Sequence, residues 1–178
     1  KDNDFFNMVS YLTLNKQEPE SVMKYVQSRI DALQAQWKSK VAINTKVFRR
    51  CLHILADAND AYALDWVLEL FPDFPDQMVD ICRYLKRLMD YYSRKIVYSI
   101  FKYLGNSDDN REWVVAWLLT VVYHSKNTDF IDFKYLHRIL LSEDKDALSR
   151  AVSLKIIANH SKEEDLFFII NFINQMTI

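Results

Sequence analysis

The residues of this chain that could do chemistry form three groups: two cysteines with a histidine nearby, a run of carboxylates, and cations interleaved with tyrosine. Cys51 and His53 stand two apart, so on a helix their side chains point about 200° apart and do not converge on one metal. His124, His137 and His160 are scattered, with no His-x3-His pair. A helical ribonuclease spacing also fails, because Arg49 and Arg50 lie too close to His53 and Arg150 too far from His160. The single glycine of the chain excludes a Gly-rich phosphate loop and a Gly-x-Ser-x-Gly nucleophile elbow, both of which need several. We expect no catalytic residue, no metal, no cofactor and no small-molecule substrate.

The carboxylates Asp57, Asp60, Asp65, Glu69, Asp73, Asp76 and Asp80 follow one another with no Lys or Arg between Cys51 and Cys82. Their spacing puts most of them on helix caps and turns, where they hydrate the surface and oppose the helix dipole. Basic residues flank this run. Lys38, Lys40, Lys46, Arg49 and Arg50 precede it, and Arg83, Lys86, Arg87, Arg94, Lys95 and Lys102 follow, opposed only by Asp90. Tyr91, Arg94, Lys95, Tyr98 and Lys102 recur at i, i+3, i+4, i+7 and i+11, one stripe of a helix. Arg83, Lys86 and Arg87 lie opposite Ile81, Cys82, Leu85 and Leu88 in the same periodicity.

Cations spaced with tyrosine suit a nucleic-acid backbone with stacked bases. Equally, such a stripe is an ordinary charged outer face, a surface for an acidic protein, or the complement of the acidic run on a second copy of the chain. The eight residues Arg83, Lys86, Arg87, Tyr91, Arg94, Lys95, Tyr98 and Lys102 are the candidate single-stranded nucleic-acid site.

These residues need elements to position them, and composition says which. The chain has 178 residues, 50% hydrophobic and 26% charged, with a net charge of -1. That is enough apolar material for a core and too even a charge for a global field. One glycine and three prolines are too few for the hairpins and bulges of a sheet, so the chain is all-α. Apolar spacing predicts about ten helices. They start near Phe5, Pro19, Val47, Ala63, Pro75, Asp90, Trp113, Phe133, Ala147 and Leu166. Gly105 is placed as a C-terminal cap. Asp109 with Glu112, and Ser161 with Glu164, have capping-box spacing. Trp37, Trp66, Trp113 and Trp117 lie on apolar stripes and are expected in the core. The stretch from Trp113 to Tyr123 carries one polar residue, Thr120, and is expected to be central and buried. Phe167, Phe168, Phe172 and Ile173, near the end of the chain, offer an apolar patch for missing sequence or for self-association. Asp60, Asp109 and Asp146 precede three helix starts and are 49 and 37 residues apart, a period suited to HEAT or armadillo pairs. An irregular helical bundle shows the same pattern.

The segments Phe48-Arg49-Arg50-Cys51-Leu52-His53-Ile54-Leu55 and Ala63-Leu64-Asp65-Trp66-Val67-Leu68-Glu69-Leu70-Phe71-Pro72, followed by Met78 to Leu85, resemble HEAT-like helical pairs. In this they are similar to the helical region that follows the polymerase core in bacterial defence-type reverse transcriptases, over residues 43 to 175. Ser107-Asp108-Asp109 lacks the aromatic and the strand that accompany a polymerase's catalytic aspartates. The resemblance therefore implies an accessory domain that shapes a channel for the nucleic-acid product or mediates assembly, with the chemistry upstream of Lys1.

The chain is thus expected to be one non-catalytic helical domain over 1–178, a piece of a larger protein bounded by Lys1 and an apolar end at Ile178. Two cysteines without a disulfide framework, and apolar runs short of the roughly 20 residues that span a bilayer, place it in the cytoplasm, away from membranes. Its expected partner is single-stranded nucleic acid; the alternative is a protein-interaction or oligomerisation scaffold.

Overall fold

The computed structural model describes residues 19–106, 111–142, 145, 147–160, 167 and 169–171. Among them are seven α-helices, two 3-10 turns and no strand. The helices are α1 (Pro19–Lys38), α2 (Thr45–Ala58), α3 (Leu64–Leu70), α4 (Met78–Asn106), α5 (Glu112–Val122), α6 (Phe133–Leu141) and α7 (Ala147–His160), with the 3-10 turns Phe71–Asp73 and Pro75–Gln77 between α3 and α4. The all-α expectation holds. No described helix is long and apolar enough to cross a membrane. The helix expected from Phe5 to Leu14, Asp109, Asp146, Phe168, Phe172, Ile173 and the Ser161–Glu164 capping spacing lie outside the described residues.

The fold divides into two compact units, with the boundary between Leu88 and Met89. In the first, α1 packs on α2. Its core holds Val26, Ile30, Phe48, Leu52, Leu55, Val67, Leu70, Ile81 and Leu85, and the Phe48 ring meets that of Trp66 edge-on at 5.5 Å. Asp60, in the turn after α2, gathers this unit. Its carboxylate accepts from the Gln27 side chain at 3.1 Å and from the Tyr62 backbone N–H at 2.8 Å. Its carbonyl accepts from the fully buried Tyr84 hydroxyl at 2.9 Å. A buried phenol is thereby paired rather than left to cost about 1–3 kcal/mol.

In the second unit α7 packs on both α5 and α6. The buried Ser149 hydroxyl donates to the Glu112 carbonyl at 3.2 Å, and Arg150 Nε donates to the Leu140 carbonyl at 3.2 Å. The Leu140 carbonyl lies in the last turn of α6, where it has no partner within its own helix. The Phe101 and Tyr135 rings meet edge-on at 5.9 Å. Asp132 caps α6 by accepting from the Tyr135 N–H at 2.9 Å.

The two helices expected on either side of Asp90 are present and meet at a kink within α4 (Met78–Asn106): Tyr92, with φ -125° and ψ 22°, is not helical. Other expectations are corrected. Gly105 does not take the left-handed cap conformation; it lies inside the last turn of α4. The left-handed positions belong instead to Lys40 (φ 58°) and Asn59 (φ 53°). Each ends its helix in a Schellman pattern. The Lys40 N–H reaches the Trp37 carbonyl and the Val41 N–H that of Gln36, while the Asn59 and Asp60 N–H groups reach Ala56 and Leu55. Trp66 is buried, but Trp37 and Trp117 are half-buried and Trp113 is exposed. The first turn of α5 therefore presents an indole outward, although Val114, Val115, Leu118, Leu119, Val121 and Val122 are buried as the apolar run requires.

A left-handed lysine costs about 1 kcal/mol that glycine does not. Lys40→Gly should therefore raise the urea midpoint, and Asn59→Gly should raise it less, because asparagine tolerates this conformation. Gly105→Ala should also stabilise, by about 0.5–1 kcal/mol, since a Cβ there meets nothing within 4 Å among the described residues.

Cys51 and Cys82 are buried free thiols. Desolvation, partly offset by Arg29, pushes the Cys51 thiol up to about 11, and desolvation, partly offset by Lys86, pushes Cys82 up to about 12, from an ordinary value of 9.0. In the unfolded chain both thiols release their protons near that ordinary value. Above it the folded state binds more protons than the unfolded one, so stability falls as pH rises from about 9 towards the folded values. Urea melts at pH 8 and pH 10 should show this loss, and a Cys51→Ala/Cys82→Ala variant should lose less between the same two pH values.

Candidate nucleic-acid interface

Charge runs in a sequence become a binding surface only where the folded chain leaves the charges unmatched. In the first unit much of the charge is matched internally. Asp80, expected on a solvent face, has a side chain only 9% exposed. Arg49 Nε donates to one of its oxygens at 2.6 Å, and His53 Nε2 stands 2.6 Å from the other. A carboxylate only accepts hydrogen bonds, so the proton of that second bond sits on His53 Nε2. Arg49 and His53 are four apart on α2, one above the other on the same face. Their joint grip on Asp80, in the first turn of α4, is the tertiary reason the acidic run ends in a buried residue. His53 is thus held by a carboxylate while Cys51 faces the core, which agrees with the two pointing apart.

Arg83, the first residue of the candidate stripe, pairs with Asp57, its Nη2 lying 3.3 Å from Oδ1, both side chains being about half exposed. Such a surface pair is worth little in stability, but it places a carboxylate beside the cation. Arg87 is exposed and Lys86 half-buried, the latter near enough to Cys82 to act on it electrostatically. Among the described residues no group of three or more His, Cys, Asp or Glu could hold a metal ion.

In the second unit, Ile96, Val97, Ile100, Phe101 and Leu104 of α4 are buried. Tyr91, Arg94, Lys95, Tyr98 and Lys102 are all exposed, Tyr91 at 77% and Tyr98 at 62%. The stripe read from the spacing therefore exists. It borders an open groove of about 670 Å³ lined by Tyr91, Tyr92, Ser93, Arg94, Lys95, Tyr98 and Phe130. The Arg94 guanidinium carbon lies 4.9 Å from the centre of the Phe130 ring. Lys126 bonds Asp90 at 2.7 Å, so the one carboxylate of this stretch is already matched by a cation. Lys102 is exposed but does not line the groove.

Spacing alone does not reach Phe130 or Tyr92. Phe130 belongs to the polar connection before α6, and its signal is a single aromatic in a run of Ser, Lys, Asn, Thr and Asp. Tyr92 sits about 100° off the stripe of a straight helix and enters the groove only with the backbone break at its own position.

No protein-family model, curated protein or solved structure matches the chain. What the groove can do rests on its own chemistry. It offers aromatic faces for stacking, the Arg94 and Lys95 side chains, and no carboxylate among its lining residues.

Removing both partners of Asp80 leaves a buried charge unpaired. Arg49→Ala with His53→Ala should cost about 2–3 kcal/mol in urea unfolding. Adding Asp80→Ala to that variant removes the stranded charge and should recover part of the loss.

Proposed function

We propose that this chain is a non-catalytic helical binding module whose second unit contacts single-stranded nucleic acid. The observation that carries the reading is the groove itself: exposed tyrosines beside Arg94 and Lys95, with the Arg94 guanidinium over the Phe130 ring. Non-specific strand-binding surfaces combine cations for the backbone with aromatic faces for the bases, and both kinds of side chain line this groove. The net charge of -1 makes such binding local rather than a property of the whole surface. The sequence resemblance adds a context in which the module follows a reverse-transcriptase core, as an accessory domain built of HEAT-like helical pairs, and handles its product strand. Buried free thiols fit a reducing, cytoplasmic setting.

A second reading is an interaction scaffold. It draws on Leu141, Leu148, Phe167 and Ile170 of the second unit, which are apolar and more than half exposed. Single exposed apolar residues are ordinary, so this reading ranks below the first.

Fluorescence-anisotropy titrations with single-stranded RNA and DNA, at low and moderate salt, test the proposal. Binding should weaken with salt, log K falling by about 0.7 per phosphate contacted for each log unit of salt. It should be lost in Arg94→Glu with Lys95→Glu. Absence of binding at low salt would overturn the nucleic-acid reading and leave the scaffold.

A further inference from the structure

We infer that the groove of the second unit takes nucleic acid through an unpaired base, and that Phe130 positions Arg94 for the adjoining phosphate. This rests on the nucleic-acid reading above and deepens it: it assigns the base contact to Tyr98 and the ordering of the phosphate-binding cation to Phe130.

Five consecutive residues, Tyr91 to Lys95, line the groove. On a straight helix neighbours point about 100° apart, so five in a row encircle the axis and do not share one side. The non-helical backbone at Tyr92 is what turns two adjacent tyrosines into the same space. Tyr98, beyond the break, and Phe130, from the connection before α6, bring the rings to four of the seven lining residues. The volume of about 670 Å³ lies within the roughly 300–1,000 Å³ of sites that enclose small ligands, the scale of a nucleotide. A duplex offers a protein its phosphates and groove edges, with its base faces stacked against one another. Tyrosines 77% and 62% exposed, at positions 91 and 98, have no stacking partner there. An unpaired base provides one.

The anion side is equally specific. A guanidinium set over a ring is in contact with an aromatic face that accepts none of its N–H bonds as an anion would, and its donors are left for phosphate. Phe130 at 4.9 Å orders a long side chain before the ligand arrives, which lowers the entropy cost of binding. Phe130 is therefore a positioning residue that acts through Arg94, whereas Tyr98 touches the base.

The test is anisotropy with a labelled 12-nucleotide single strand and with the duplex of the same sequence, using the full chain at one low salt concentration and then over a salt series. The single strand should bind at least about tenfold more tightly than the duplex. Tyr98→Leu should weaken single-strand binding about 5- to 150-fold, the range of one lost base stack, without changing the salt slope. Arg94→Gln should lower the slope by about 0.7, one phosphate. Phe130→Leu should weaken binding in the wild-type background and have no further effect in the Arg94→Gln background, which a merely structural role for Phe130 does not predict. If single strand and duplex bind equally, or Tyr98→Leu binds as the wild type does, the unpaired-base inference is overturned while the nucleic-acid reading stands. If Phe130→Leu weakens binding equally in both backgrounds, its role through Arg94 is overturned. If neither nucleic acid binds at low salt, both readings are overturned together.

Discussion

A helix that buries one stripe commits the opposite stripe to solvent, and α4 (Met78–Asn106) imposes this constraint on both units. In the first unit Ile81, Cys82, Leu85 and Leu88 are buried, and Arg83 and Arg87 are consequently outside. In the second, burial of Ile96, Val97, Ile100, Phe101 and Leu104 directs Arg94, Lys95, Tyr98 and Lys102 outward. Burying each large aliphatic side chain is worth about 1.5–3 kcal/mol. A rotation of the helix about its axis would forfeit several of these at once. The surface stripe is therefore held in register by the core behind it, with no need for its own residues to be ordered by a ligand.

Outward position does not by itself make a cation available. Arg49 and Arg83 both belong to basic runs, yet Arg49 bonds the buried Asp80 and Arg83 lies beside Asp57. Their charge is used within the first unit, at one site to pair a carboxylate that desolvation would otherwise penalise. Arg94 differs in kind. Its neighbour is the ring of Phe130, which orders the guanidinium without neutralising it. The distinction between a structural and a ligand-binding arginine thus lies in the partner, an anion in one case and an aromatic face in the other.

The turns show a related economy. With one glycine in the chain, the left-handed ends of α1 and α2 fall to Lys40 and Asn59. Asparagine bears that conformation at low cost and lysine does not, so the end of α1 carries local strain that the closing Schellman bonds must outweigh. Gly105 meanwhile lies in ordinary helix.

The all-α class, the positions of most helices and the existence of the stripe were determined by the sequence, because each follows from local rules: glycine scarcity, the 3.6-residue period and the alternation of apolar and charged faces. The same rules located Tyr91, Arg94, Lys95 and Tyr98 on one face. They could not show that Asp80 is buried, since nothing near it in the chain reveals Arg49 and His53, which arrive from another helix 31 and 27 residues away. Nor could they bring Phe130 to Arg94, or Tyr92 into the groove. The first depends on how the connection before α6 returns to α4, and the second on the backbone geometry at Tyr92 itself, which apolar spacing that starts a helix near Asp90 does not specify. Periodicity places a side chain on a face of its own element. Which groups meet across elements, and so which charges are neutralised and which remain for a ligand, was decided only by the tertiary packing.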